Sequence, residues 1–225
     1  MAAVLYDLAG KDDRRFSPYC WRARLALAHC NVPFETRPVR FTEIPDLWRG
    51  EHKTVPVLDD GGTVTCDSLA IAVRLHATYP AGESLFPGGA GPAFAHFLHQ
   101  WTFRHLHPRL VALIIGDLME SIDPVDRDYF RRSREARYGR RLEEIQVTPE
   151  AGLPAVHAVL EPVRAALQAT PYLSGDQPAY PDYIVFGSLQ WARLCSDLTL
   201  LADDDPVRAW FDRLLDRHEG AAANA

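Results

Sequence analysis

Every run with clear β-strand character in this chain of 225 residues lies before residue 67, and a stretch dense in proline and glycine, Pro80 to Pro92 (PAGESLFPGGAGP), then separates it from a remainder patterned for helix. Such a split predicts a mixed α/β unit followed by an all-helical one. Ala3 to Leu8 (AVLYDL) is a short apolar run, a polar loop follows from Gly10 to Arg15, and Ser17-Pro18 opens a segment rich in Ala, Leu and Arg. That is the order strand, loop, helix. Pro33 to Val39 reads as a second strand, and Thr42 to Arg49 as a short helix or ordered loop. Val55 to Leu58, Asp59-Asp60-Gly61-Gly62 and Thr63 to Cys66 make a hairpin pattern, its glycines supplying the positive φ of the turn. Asp67-Ser68 then leads into an amphipathic helix ending before Pro80.

The order β-α-β-α-β-β-α is that of a thioredoxin-like domain with a mixed sheet, predicted over residues 1–80, with a linker over 81–92. Beyond it, helices are predicted at Ala93 to Leu118, Pro124 to Ile145, Gly152 to Gln168, Pro181 to Leu194 and Pro206 to Arg217. They make a helical bundle over residues 93–225, with a frayed tail from Gly220 onward. The formal net charge of −6 offers no general attraction to nucleic acid or an anionic membrane, so the expected partner is a small molecule. The longest apolar run, Leu110 to Ile115, is far too short to span a bilayer. The cysteines Cys20, Cys30, Cys66 and Cys195 lack C-x-x-C spacing, which fits a reducing cytoplasm.

Ser17 is the first candidate for chemistry. Serine caps helices and Pro18 suits the first helical turn, so Ser17 is expected at a helix N-terminus, where unpaired N–H groups and the helix dipole favour an anion such as a thiolate. Its other role is that of a plain cap. The spelling Ser17-Pro18-Tyr19-Cys20 resembles the C-P-Y-C of glutaredoxins with the first cysteine replaced, which speaks against dithiol exchange. Cys20 is expected to be buried. Pro56 inside a β-run calls for a cis peptide after Val55, which would turn the Val55 N–H and C=O toward a ligand. Asp67-Ser68 opens another helix, whose free N–H groups and Ser68 hydroxyl would hold a carboxylate while Asp67 pairs with an amine.

A thiolate site, an exposed strand edge and a site for an amino-acid end suit a small thiol peptide. On these residues the chain resembles the glutathione transferases over nearly its whole length. The resemblance implies Ser17 as the thiol-activating residue, Val55 as backbone partner of the cysteinyl unit and Pro56 as the cis proline. It further implies Asp67 and Ser68 as binders of the γ-glutamyl end, with Lys53 and Thr54 near the glycine carboxylate. S-P-Y-x-W at the first helix, Phe41-Thr42-Glu43-Ile44, Arg127-Asp128-Tyr129 with Ser133-Arg134-Glu135, and Gly175-Asp176-Gln177-Pro178 before Asp182-Tyr183 are similar to the bacterial β-etherase branch and its fungal FuA-like serine relatives. One departure is Ala179, where these proteins carry the Ser or Thr of a capping box, so that only Asp182 remains of it.

The implied activity is transfer of the glutathione thiolate to a hydrophobic, aromatic electrophile, with β-aryl ether cleavage as one form. The alternative keeps the fold without conjugation, as a thiol-independent isomerase or lyase or as a ligand-binding protein. Glutathione is the implied co-substrate, with no metal, and the resemblance implies a homodimer. Tyr19, Trp101 and Phe103 are candidates for the second-substrate pocket, which the loop Gly10 to Arg15, the helices and the tail would complete. His96, His99, His105 and His107 have no Cys or carboxylate at matching spacing and are expected to be solvated or interface residues. The cluster Arg131 to Arg141 is expected to be a solvated, ion-paired helix face.

Overall fold

The computed structural model describes residues 2–223, with the side chains of Trp48 and Arg49 outside that description. β1 (Ala3–Leu8) runs parallel to β2 (Phe34–Val39) and antiparallel to β3 (Val57–Asp60), which pairs antiparallel with β4 (Thr63–Cys66). The sheet is therefore mixed, in the order β2-β1-β3-β4. The hairpin turn takes the expected form, with Gly61 and Gly62 at positive φ and the Gly62 N–H donating to Asp59 Oδ1 at 2.9 Å. α1 (Pro18–His29) and α2 (Ser68–Thr78) pack against each other, and Leu25, Ile71, Leu5 and Leu58 are wholly or almost wholly buried. Beneath α1, the buried Asp7 of β1 is held by Arg24 Nε at 2.6 Å.

The linker carries more order than its composition suggests. Pro80–Leu85 forms a 3-10 turn, and the buried Phe86 sets its ring 5.3 Å from His76 and 5.5 Å from Tyr180. The first helix predicted beyond it is two helices, α3 (Gly91–Trp101) and α4 (His107–Ser121), joined by a wide π turn at Thr102–Leu106. The second is also divided, into α5 (Arg127–Tyr138) and α6 (Leu142–Ile145), because Gly139 ends α5 in the left-handed region at φ 65°. α7 (Pro149–Ala169), α8 (Tyr180–Cys195) and α9 (Pro206–Leu215) complete the bundle.

α8 is apolar on nearly every side, as a central helix must be, and it packs directly on α1. Gly187 makes that approach possible, since a Cβ there would lie 2.5 Å from the Pro18 carbonyl oxygen. The surviving half of the α8 capping box is well used. Asp182 accepts from the N–H groups of Ala179 at 3.1 Å and Leu173 at 2.8 Å and from Trp210 Nε1 at 2.9 Å, joining α8, the loop before it and α9. The expected fraying of the tail is corrected as far as Ala223. Gln190 Nε2 donates to the Ala222 carbonyl at 2.8 Å and Arg193 to that of Ala223 at 3.1 Å, while Asn224 and Ala225 lie outside the described residues.

Candidate active site

The Ser17 hydroxyl sits at the N-terminus of α1. Its φ of −60° and ψ of 123° keep it out of the helix, and the Cys20 N–H donates to its Oγ at 3.3 Å. A hydroxyl oxygen that accepts this bond keeps its own proton free to donate. Ser17 is nearly buried in the wall of a cleft of about 680 Å³. The Cys20 thiol is also buried, and burial, followed by the charge of Asp7, pushes it well above the usual thiol range, so it is no nucleophile.

Lys53, Thr54, Val55 and Pro56 line the same cleft, and the Val55-Pro56 peptide is cis. Among the described residues, no group pairs with the Val55 N–H or C=O. Asp67 also reaches the cleft, at a φ of 81° that side chains seldom adopt. Its Oδ1 accepts from the N–H groups of Leu69 at 2.9 Å and Ala70 at 3.1 Å. This corrects the expectation for α2. Two N–H groups thought free for a carboxylate are taken by Asp67 Oδ1, and Asp67 Oδ2 is left without a partner among the described residues. The Ser68 hydroxyl does not line the cleft but is fully buried beside Tyr180.

The opposite wall comes from the helical half. The π turn keeps His99, Phe103, His107, Val111 and Ile115, spaced four apart in sequence, along one side of the cleft. Such spacing would drift around a regular helix. Tyr19 and Phe103 line the cleft, whereas Trp101 is half-buried against the hydrophobic core and does not. The histidines need a second correction. His96 and His105 are exposed, but His99 is half-buried and His107 buried. His107 Nε2 lies 2.9 Å from Ser188 Oγ, and its ring meets those of Tyr19 and Trp191 edge-on. Burial, then the nearby Arg22 charge, hold both His99 and His107 below the usual imidazole range, His107 well below it. Arg22 Nη1 lies 3.4 Å from His99 Nδ1, and a guanidinium only donates, so the neutral His99 ring carries its proton on Nε2.

Arg22 itself is fully buried. It donates to Thr102 Oγ1 at 3.2 Å and Ser188 Oγ at 3.4 Å, and its guanidinium lies 4.5 Å over the Tyr19 ring. It thus ties α1 to the π turn and α8. Phe41, Tyr129, Phe130 and Trp191 add aromatic surface to the cleft, and Arg134 and Arg137 of α5 reach it as well. Arg134, half-buried, departs from the solvated face expected of Arg131 to Arg141, whereas Arg137 is exposed although it reaches the cleft. That face does describe Arg131, which pairs with Glu135 at 3.0 Å and Glu143 at 2.8 Å. The spacing of Phe130, Arg134 and Arg137 along one helix face was the available signal.

The loop expected to border the acceptor pocket lies elsewhere. Lys11 to Arg15 line a separate, open hollow of about 1620 Å³ on the other face of α4, divided from Ser17 where Gly10 packs against the Ser121 carbonyl and the Phe16 ring. Among the described residues no group of His, Cys, Asp and Glu could hold a metal ion, and no helix is long and apolar enough to cross a membrane.

Comparison with known proteins agrees with this architecture. The family model for the glutathione S-transferase C-terminal domain matches residues 93–215, more than half of the chain, and that for the N-terminal domain matches residues 13–84. Among solved structures, glutathione transferase GSTFuA3 from Phanerochaete chrysosporium is similar with a TM-score of 0.78 and 26% identity, covering 100% of this chain and 94% of that one. A glutathione S-transferase of Ceriporiopsis subvermispora, in complex with glutathione, has the same fold at a TM-score of 0.77 and 21% identity, covering 97% of each chain. The glutathione S-transferase-like protein ustS of Aspergillus flavus is 27% identical over 143 residues, 56% of this chain and 49% of the relative, so the chain spans about half the length of that relative. With an N-terminal thioredoxin-like domain and a helical C-terminal domain that both match, in this order, the chain belongs to the glutathione S-transferase family.

Proposed function

We propose that the protein is a glutathione-dependent transferase that stabilises the glutathione thiolate at the N-terminus of α1 and delivers it to an aromatic electrophile in the adjoining cleft. The observation that carries this is the convergence of Ser17, Val55 and Asp67 on one cleft whose far wall is aromatic. Residues 1–80 would hold the thiol peptide, 81–92 link the halves, and 93–225 supply the acceptor wall. The free proton of Ser17 donates to the thiolate, and the helix end adds its partial positive charge. The Val55 N–H and C=O pair with the cysteinyl unit. Asp67 Oδ2 takes the γ-glutamyl ammonium, the Ser68 N–H takes its carboxylate, and Lys53 and Thr54 meet the glycine end.

The chemical step is a displacement or addition. The sulfur electron pair forms a bond to carbon, and in a displacement the leaving group departs with the pair of the broken bond. A phenolate leaving group would make the reaction β-aryl ether cleavage, and Tyr19 and Phe103 would flank the ring. Val73 of α2 and Phe94 and Phe97 of α3 expose apolar surface that a second copy of the chain would cover, as in a homodimer acting in the cytoplasm.

Calorimetric titration with glutathione and with S-methylglutathione tests the thiol-peptide site. Saturable binding is expected, weakened about tenfold or more in Asp67→Asn, which keeps a helix cap but drops the charge. No heat at millimolar glutathione would replace conjugation with a thiol-independent role.

A further inference from the structure

Of the arginines that the sequence pattern assigns to a solvent face, two reach the cleft, Arg134 and, beside it, the exposed Arg137. Arg134 is half-buried, with its guanidinium 4.5 Å over the Phe130 ring and 5.2 Å over Phe41, and Arg137 lies 5.4 Å over Phe103. These contacts set each guanidinium over an aromatic ring, and each still carries five N–H donors. Of those donors only Arg134 Nη1 has a partner among the described residues, Ser133 Oγ at 2.9 Å. No described carboxylate lies within ion-pair distance of either side chain, although Arg131 on the same helix is doubly paired.

The cleft they face is unusual for a chain of net charge −6. Lys53, Arg134 and Arg137 are in its lining, and Asp67 is the only carboxylate among its described lining residues. Burial, followed by repulsion from Arg137, lowers the Arg134 pKa. A half-buried cation with an exposed one beside it is a cost to the free protein, which an anion placed between them removes.

We propose that the acceptor of this cleft is an aromatic carboxylate, whose ring stacks among Phe41, Phe103 and Phe130 and whose anionic group is held by the edges of Arg134 and Arg137. The proposal rests on the transferase role for what happens next, but acid binding itself needs no thiol. Carboxylate and guanidinium match in a planar, two-point geometry that a neutral ester cannot satisfy. Specificity would then lie in α5, away from the thiol-holding residues.

The test uses para-chloro-meta-nitrobenzoate and its methyl ester. Calorimetry of the full chain without thiol is expected to show the acid binding about tenfold or more tightly than the ester. With glutathione, the thiolate forms a C–S bond, the C–Cl bond breaks, chloride leaves with its electron pair, and the thiol proton goes to solvent. The same preference is expected in kcat/KM once each value is divided by the uncatalysed rate constant. Arg134→Gln with Arg137→Gln should reduce the preference to within about twofold, and the paired Lys variants should retain part of it.

Equal binding of acid and ester by the wild type, or a preference that survives the double Gln change, overturns the proposal. So does a glutathione Kd that weakens in step with the acid, because the arginines would then belong to the thiol peptide. If the Gln variant does not fold, the wild-type comparison and the Lys variants still decide. Failure of glutathione to bind would defeat the transferase role while leaving the comparison of acid and ester intact.

Discussion

Ser17 has two tasks, and they separate in experiment. As cap of α1 it accepts the Cys20 N–H, and in the proposed role it would donate its proton to a thiolate in the cleft it lines. Ser17→Ala should therefore lower stability by about 1 kcal/mol, read as a shift in the urea midpoint, because a lost cap is worth roughly that amount. A variant as stable as the wild type would mean that Cys20 N–H finds another acceptor. Ser17 and Asp67 were legible in the sequence because capping is local: a Ser-Pro or an Asp-Ser before an apolar helix declares itself within a few residues. What Asp67 does with its cap was not legible. Its Oδ1 takes two of the N–H groups that had been expected to serve a ligand. His99, His107, Arg134 and Arg137 escaped for the opposite reason, since their surroundings come from segments far away in the chain.

At the scale of elements, the site depends on how closely α8 approaches α1. Gly187 lies against the Pro18 carbonyl, one residue beyond Ser17, and Arg22 Cγ would be 3.2 Å from an added Cβ. Gly187→Ala is expected to cost about 1–3 kcal/mol by overpacking and to weaken glutathione binding several-fold, because the strain falls on the first turn of α1. Unchanged stability and affinity would show that the helices part without disturbing Ser17. The strands and the hairpin were legible from short apolar runs and turn residues. The bundle was less so: periodicity marks the α3–α4 segment as helical but cannot reveal a π turn, and here that turn aligns one wall of the cleft.

Across the whole molecule, the two halves are locked by groups that must stay neutral. His29 at the end of α1 lies 2.7 Å from Tyr183 Oη of α8 and 2.6 Å from Ser84 Oγ of the linker. Burial first, then His218 and Arg217, lowers its pKa from 6.5 to about 4. The unfolded chain therefore binds a proton between these values that the folded chain refuses, so this contribution is present above about pH 6.5 and is lost as pH falls toward about 4. His107, held neutral by burial, acts with the same sign. Urea midpoints should fall between pH 7 and 5, and fall less in His29→Gln. An equal fall in that variant would take His29 out of the acid response.

The central claim is that the N-terminus of α1 stabilises a thiolate. The most direct measurement is the ultraviolet absorbance of glutathione thiolate bound to the protein, followed as a function of pH in the wild type and in Ser17→Ala. The wild type should ionise bound glutathione about one to three pH units below the free thiol, and Ser17→Ala should move that midpoint up by about one unit or more. A wild-type midpoint equal to that of free glutathione would contradict the account, since the Ser17 hydroxyl and the helix end would then do nothing for the thiolate.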